Sequence, residues 1–323
     1  MGHLIRALAL ARAAVRNRPS RSVEIISNSP FARQSLVRRE CLNQQLTVID
    51  HRLSRHEVVK QVTQILAARR FETLVVDTFP RGLAGELAGL LPELCCRKIL
   101  VHRNISRAYL KSFNVAEMIS HYDLLLLPGE HAPFQGCVNA MSTAPWFIRD
   151  WDELHSLPQA HVALKVEDAT RPTLVVVGCG QRDELEQYRH LAGRLERSLG
   201  QTANVRFASI DSDFSERNSA EVKAIQVWPL LSAMPAIDLL IGAGGYNTVH
   251  ESRATATRLF ACGQVRLYDR QAERLRPSEQ RASLQELFDN SIAWAHRWSP
   301  PSRQTPWFEN GVHRAVDEID LIS

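Results

Sequence analysis

The sequence predicts two α/β domains in tandem, each a parallel sheet covered by helices, with a cleft between the carboxyl ends of their strands. Three observations lead there. Short apolar runs alternate with amphipathic segments along most of the 323 residues, the pattern of a parallel sheet with helices on both faces. The alternation restarts after a polar stretch near the middle, and the length suits two cores of ordinary size. Glycines stand between a strand and a helix late in the second series, and ligands of open α/β sheets bind at such strand ends.

Each element follows from its residues. Leu4 to Val15 carries apolar residues at helical spacing. Its arginines and apolar face are shared with transit peptides, but Gly2 and His3 fit a loop-to-helix start better. Strands are expected at Val23–Ser27, Leu46–Ile49, Thr73–Asp77, Arg97–His102 and Tyr122–Leu127. Helices are expected at His56–Arg70, capped by Ser54, and at Leu83–Leu91, closed by Pro92. Leu157–Pro172 reads as a linker or a domain-edge excursion, and residues 1–160 form the first domain. The second, 161–323, has strands at Thr173–Val177, Val205–Ala208, Ala224–Trp228, Leu239–Ile241 and Leu259–Ala261. Its helices are Asp183–Leu199, a short one at Pro229–Met234 and one after the glycines. After the break at Trp298-Ser299-Pro300-Pro301, residues 307–319 form a last helix suited to returning to the first domain.

Composition narrows the function. Net charge is +4 and only five of the 39 basic residues are lysine, spread without blocks of like charge, so no nucleic-acid partner is expected. The charge permits an anionic substrate or peripheral contact with an acidic membrane surface. No apolar run approaches the ~20 residues that span a bilayer, and a cytoplasmic protein, with access to the inner membrane face, is expected. Six cysteines (Cys41, Cys95, Cys96, Cys137, Cys179, Cys262) show no metal-like spacing and are expected as free thiols. Asp211-Ser212-Asp213 follows a strand in a polar loop and reads as a turn rather than a metal site.

The most informative stretch is Ala236 to Gln271. Leu239-Leu240-Ile241 runs into Gly242-Ala243-Gly244-Gly245, and a helix opens with Asn247 and Thr248 at its mouth and Glu251 one turn in. Glycines there let a phosphate approach backbone N–H groups at the positive helix end. A carboxylate one turn on can accept from sugar hydroxyls. The same residues also fit plain alternatives: tight packing for the glycines, a core place for Tyr246, a solvated Glu251 and helix capping by Asp269.

Gly245-Tyr246-Asn247-Thr248-Val249-His250-Glu251 resembles the donor-site helix of GT-B glycosyltransferases, above all the N-acetylglucosaminyltransferases that form lipid II. Asp269-Arg270-Gln271 is similar to that family's DRQ element, and Gly2-His3-Leu4 to Ala11 to its glycine loop and ALALA-type helix. The resemblance implies two Rossmann-like domains and a metal-independent, inverting transfer from a nucleotide diphosphate sugar, most simply a UDP-sugar, with no cofactor. It implies that amides near Gly244, Gly245 and Tyr246 face the diphosphate and that Asn247 and Thr248 cap the helix. Glu251 would take the ribose, Asp269 and Gln271 the transferred sugar, and His3 would lie across the cleft near the acceptor or the leaving phosphate. The chain departs from the family in lacking the buried first strand before Gly2. The expectation is a start codon assigned too late, with a shortened product or a real loss as alternatives.

Chemistry requires a base for the acceptor hydroxyl. His3 and Asp77, at a strand end, are the candidates, and Arg103 and Glu130, also at strand ends, are acceptor-side candidates. A UDP-sugar hydrolase of similar fold, a non-catalytic nucleotide-sugar binding protein and, less directly, a sugar-nucleotide epimerase are the competing readings.

Overall fold

The computed structural model describes residues 1–41, 44–178, 180, 182–210, 222–300 and 307–322. Cys179 and Asp211-Ser212-Asp213 lie outside them. The chain forms two compact units: Met1–Ile148 with Leu267–Asp269 and Asn310–Ser323, and Arg149–Arg266 with Arg270–Glu309.

The first unit contains α1 (Gly2–Asn17), β1 (Glu24–Ser27), α2 (Ser35–Glu40), β2 (Gln45–Val48), α3 (Arg55–Ala67) and β3 (Thr73–Asp77). It continues with α4 (Leu87–Leu90), β4 (Arg97–Val101), α5 (Arg107–Ser112), α6 (Val115–Ile119), β5 (Leu124–Pro128) and β6 (Ala140–Thr143). Its strands make two separate parallel sheets, β1-β2 and β3-β4-β5-β6. One apolar cluster serves both: Ile26 of β1 and Leu74 of β3 pack with Val58 and Val62 of α3, Val76, Leu100 and Leu125. Ser54 caps α3 in a capping box with Glu57, as its position before the apolar period predicts. The helix expected at Leu83–Leu91 shrinks to four residues, because Gly82 and Gly85 adopt φ of 85° and 100°, outside the helical region.

The second unit contains α7 (Leu157–Ala163), β7 (Thr173–Val177), α8 (Arg182–Leu199), β8 (Asn204–Ala208), β9 (Lys223–Ile225) and β10 (Leu239–Ala243). After it come α9 (Tyr246–Ala254), β11 (Arg258–Cys262), α10 (Gln271–Arg274), β12 (Gln280–Arg281) and α11 (Leu284–Ala295). The six strands form one parallel sheet in the order β12-β11-β10-β7-β8-β9. Helix α7 occupies the segment read as a linker; Ser156 and Gln159 close a capping box around its start. Strands β8 and β10 are buried throughout, consistent with cover on both faces.

The last helix, α12 (Val312–Leu321), packs on α1, β5 and β6 of the first unit. Val312, Ala315, Val316 and Ile319 are its buried stripe. Asp320 ties it down, accepting from Asn17 at 2.9 Å and pairing with Arg21. No helix among the described residues is long and apolar enough to cross a membrane. Cys41, Cys95, Cys96, Cys137 and Cys262 are free thiols.

Candidate functional site

In the second unit, β10 ends at Ala243 and α9 begins at Tyr246, with Gly245 as N-cap. The two glycines between them differ in purpose. A Cβ on Gly244 would lie 2.9 Å from the Gln271 carbonyl oxygen, so packing alone demands glycine there. A Cβ on Gly245 would meet nothing closer than the Thr248 hydroxyl at 3.8 Å, and its φ of −65° suits any residue. The space above Gly245 is therefore left open by a glycine that the fold itself does not need.

The Gly244 N–H donates to the Cys262 carbonyl at 3.3 Å, so this amide is engaged within the sheet rather than offered to a ligand. The Gly244 carbonyl accepts from Arg274 Nη1 at 2.7 Å. In a trans peptide the next N–H points the opposite way, so Arg274 sets the direction of the Gly245 N–H. The first bond within α9 is Val249 N–H to the Gly245 carbonyl, which leaves the Asn247 and Thr248 amides without a helical acceptor. The cap expected of the Asn247 and Thr248 side chains is not made, because the N-cap is Gly245 and no side chain bonds there.

Asn247 and Glu251 stand one turn apart on the same face of α9. Both polar atoms of the Asn247 side chain are buried without a partner among the described residues. Glu251 is 7% exposed, and burial pushes its pKa up to about 8. A buried polar face with unmet hydrogen-bonding capacity is unusual in a folded chain and calls for an explanation. Tyr246 is buried with its ring 4.5 Å from that of His250, a core position. Gln271 is also buried; its side-chain oxygen accepts from the Gln264 N–H at 3.2 Å and shapes the loop after β11.

Asp269 belongs to the first unit. It bridges the backbone of Ile105, and its carboxylate lies 3.8 Å from Arg103. Arg103 and Glu130 pair with each other at 3.2 Å, both largely buried. These three acceptor-side and sugar-side candidates thus form one charged cluster.

His3 and Asp77, read from the sequence as alternative bases, are brought together. His3 Nδ1 lies 2.6 Å from Asp77 Oδ2. A carboxylate accepts, so Nδ1 carries the proton and Nε2 keeps its lone pair. Arg6, three residues on along α1 and 1% exposed, clamps Asp77 from behind: Nε donates to Oδ1 at 3.1 Å and Nη2 to Oδ2 at 2.8 Å. Arg6 Nη2 also reaches the Thr78 hydroxyl at 3.1 Å. Burial would raise the Asp77 pKa, but Arg6 and His3 outweigh it and hold the carboxyl well below the usual range. Desolvation, with smaller effects from Arg6 and Arg103, lowers the His3 pKa below the ordinary histidine value against the pull of Asp77. The side chain is 52% exposed, which leaves the imidazole within reach of a ligand.

Thr78 has a φ of 69°, rare for a β-branched residue, and Phe79 N–H bonds back to the Asp77 carbonyl at 2.8 Å. This tight γ-type turn brings the Phe79 ring to 5.6 Å from His3. Backbone strain of this kind costs about 1–3 kcal/mol and collects at functional sites.

Sequence reasoning missed Arg6, Thr78 and Arg274. Arg6 carried a usable signal, since it lies at i+3 from His3 within an otherwise small, apolar run. Thr78 and Arg274 carried none, because their roles depend on backbone geometry.

No protein-family model matches the chain, and neither does any curated protein. Among solved structures, the chain is similar to the glycosyltransferase of kitacinnamycin (14% identity, TM-score 0.59, covering 99% of this chain and 96% of that one). It is also similar to the spinosyn rhamnosyltransferase complexed with thymidine diphosphate (13% identity, TM-score 0.58, 98% and 92%). A protein assigned as a UDP-N-acetylglucosamine 2-epimerase from Listeria monocytogenes is similar as well (11% identity, TM-score 0.56, 99% and 93%). The fold is thus the GT-B class, with two Rossmann-like domains. A fold shared by transferases and an epimerase defines the architecture and leaves the reaction to the site.

Proposed function

We propose that the chain is a glycosyltransferase that moves a sugar from a nucleotide diphosphate sugar, most simply a UDP-sugar, to an acceptor hydroxyl. The observation that carries this is the unpartnered face of α9. The two polar side-chain atoms of Asn247 are buried with no partner among the described residues, and Glu251 one turn on is 7% exposed, beside an open glycine turn and helix-mouth amides. The amides of Gly245, Asn247 and Thr248 would receive the diphosphate. Glu251 would accept from the ribose hydroxyls, a contact that favours its ionised form.

His3 supplies the base in this reading. The acceptor hydroxyl oxygen forms a bond to the anomeric carbon as the bond from that carbon to the diphosphate oxygen breaks. The electron pair leaves with the nucleotide diphosphate, and the hydroxyl proton passes to His3 Nε2. Asp77, fixed by Arg6, stabilises the imidazolium that results. A single displacement of this kind inverts the anomeric centre. Charge on the leaving group is met by the helix mouth without a metal in this scheme.

A donor screen by thermal shift tests the first half, since a ligand that binds only the folded state raises its melting temperature. UDP should shift the melting point, and Glu251→Ala should abolish the shift; an unchanged shift would refute the donor assignment. Product analysis separates the competing reactions. A transferase releases UDP in proportion to added acceptor. A hydrolase releases free sugar and UDP without one, and an epimerase alters the sugar with no acceptor at all.

A further inference from the structure

The strained turn at Thr78 places Phe79 at one end of a continuous aromatic array inside the first unit. Phe79 lies 5.1 Å from Tyr109 and 5.9 Å from Tyr268 between ring centroids. Tyr109 lies 4.8 Å from Tyr268 and 4.7 Å from Phe113. The Tyr268 backbone is fixed to this array, its carbonyl accepting from Ser106 N–H at 3.0 Å. Phe79, Phe113 and Tyr268 pack on the core of the unit but are only partly buried, and Phe79 is the one that lies against His3.

The far edge of the array is polar. The Arg81 guanidinium sits 5.5 Å over the Phe113 ring, and its Nε is buried with no partner. Arg81 makes no ion pair among the described residues. The two nearest carboxylates in sequence are occupied: Asp77 by Arg6 and His3, and Glu86 by the Leu83 and Ala84 N–H groups at 2.7 Å each. The Tyr109 hydroxyl also lacks a partner among the described residues; burial pushes its pKa up to about 12, so it stays a donor. The charge of Arg81 acts on this hydroxyl, which puts an uncompensated cation and a phenolic donor at the same edge.

We propose that this array is the acceptor platform, and that the acceptor is a flat, ring-borne hydroxyl compound carrying an anionic group, its ring on Phe79 and Tyr268 and its anion at Arg81 and Tyr109. The proposal rests on the transferase reading and names the acceptor class for it. Aromatic faces favour offset or edge contacts with a planar ring. A guanidinium with open donors binds a carboxylate in a directed, charge-assisted way. Because Phe79 touches His3, a ring seated on the array carries its hydroxyl to the imidazole while the anion is held at the other end. The transfer step is the one written above, with the phenolic proton going to His3 Nε2.

The test uses the full chain, with 4-hydroxycinnamate, its methyl ester and glucuronate as probes in calorimetric titrations. In the wild type the acid should bind at least about tenfold tighter than the ester, the range of a charge-assisted hydrogen bond. Arg81→Gln should bring the acid down to the ester's affinity while ester binding changes less than about twofold. Tyr268→Leu should weaken both. Equal binding of acid and ester, absence of binding by either, or tighter binding of glucuronate than of the hydroxycinnamate would overturn the proposal. The comparison of acid with ester needs no variant, so it decides even if Arg81→Gln does not fold. UDP titrations run alongside keep the two readings apart. Loss of UDP binding with the acid preference intact refutes the transferase and keeps the platform, and the reverse result refutes the platform alone.

Discussion

His3 has value as a base only because Asp77 has been deprived of its own. The Arg6 clamp keeps Asp77 ionised, and the ionised carboxylate holds the Nδ1 proton in place. His3→Ala should lower kcat by roughly 10²–10⁴, the usual contribution of a positioned base. The acidic limb of the kcat/KM profile should fall below pH 6.5, because desolvation lowers the His3 pKa. Arg6 contributes to that lowering, so Arg6→Met should move the limb and the NMR titration of His3 to higher pH. A limb that stays in place would show Arg6 to be only a packing residue. Glu251 makes the opposite kind of prediction. Its pKa is raised to about 8 in the folded chain against 4.5 unfolded. Between those values the folded state keeps a proton that the unfolded state has lost, so stability falls as pH rises and levels off above pH 8. Melting curves of the wild type minus Glu251→Gln should show that slope between pH 4.5 and 8, and a flat difference would contradict the burial of an unpaired carboxyl.

At the scale of elements, the turn between β10 and α9 is held from outside by a short helix. Arg274 of α10 grips the Gly244 carbonyl, and Arg253 holds the Arg274 carbonyl at 2.8 Å while paired with Glu279 at 2.6 Å. Arg274→Met should weaken UDP binding about tenfold or more through the loss of a charged hydrogen bond that orients the turn, measured by titration. The sheet of the first unit makes a second prediction. In β3 the residues facing β4 alternate with those facing away: Thr78 N–H bonds to Val101, so Leu74 and Val76 share its side, and Thr73, Val75 and Asp77 point to the open edge. By the same alternation Glu24 and Ile26 face away from β2. Hydrogen exchange should therefore alternate along β3, fast at 73, 75 and 77 and slow at 74 and 76. Uniform protection would mean that a further strand pairs there.

At the scale of the molecule, the two alternating series were legible because each strand is an apolar run bounded by turn residues, and Thr73–Asp77 and Thr173–Val177 match the structure residue for residue. Strand β6, Ala-Met-Ser-Thr, was not, because it has no alternation, and helix α11 was passed over although Ser283 and Glu286 mark its start as Ser54 and Glu57 mark that of α3. The glycine turn and Glu251 were legible as a motif. The pairing of His3 with Asp77 was not, since it joins residues 74 positions apart. Nor was the place of Asp269 beside Ile105, which only the path of the chain back to the first unit creates. That path is completed by α12. Truncation after Glu309 should expose the buried stripe of α1 and unfold the first unit while the sheet of the second keeps its circular dichroism; a fully cooperative loss of both would show a single folding unit.

The divided sheet has a consequence for the handling of the protein. Among the described residues, strand β3 ends its sheet with Val75 36% exposed, and β1 presents a second unpaired edge in the same unit. Such edges recruit extended chains, including other copies of the same one. Light scattering should grow with protein concentration faster than for a closed sheet, and Val75→Lys, which places a charge on that edge, should suppress it while leaving UDP binding intact.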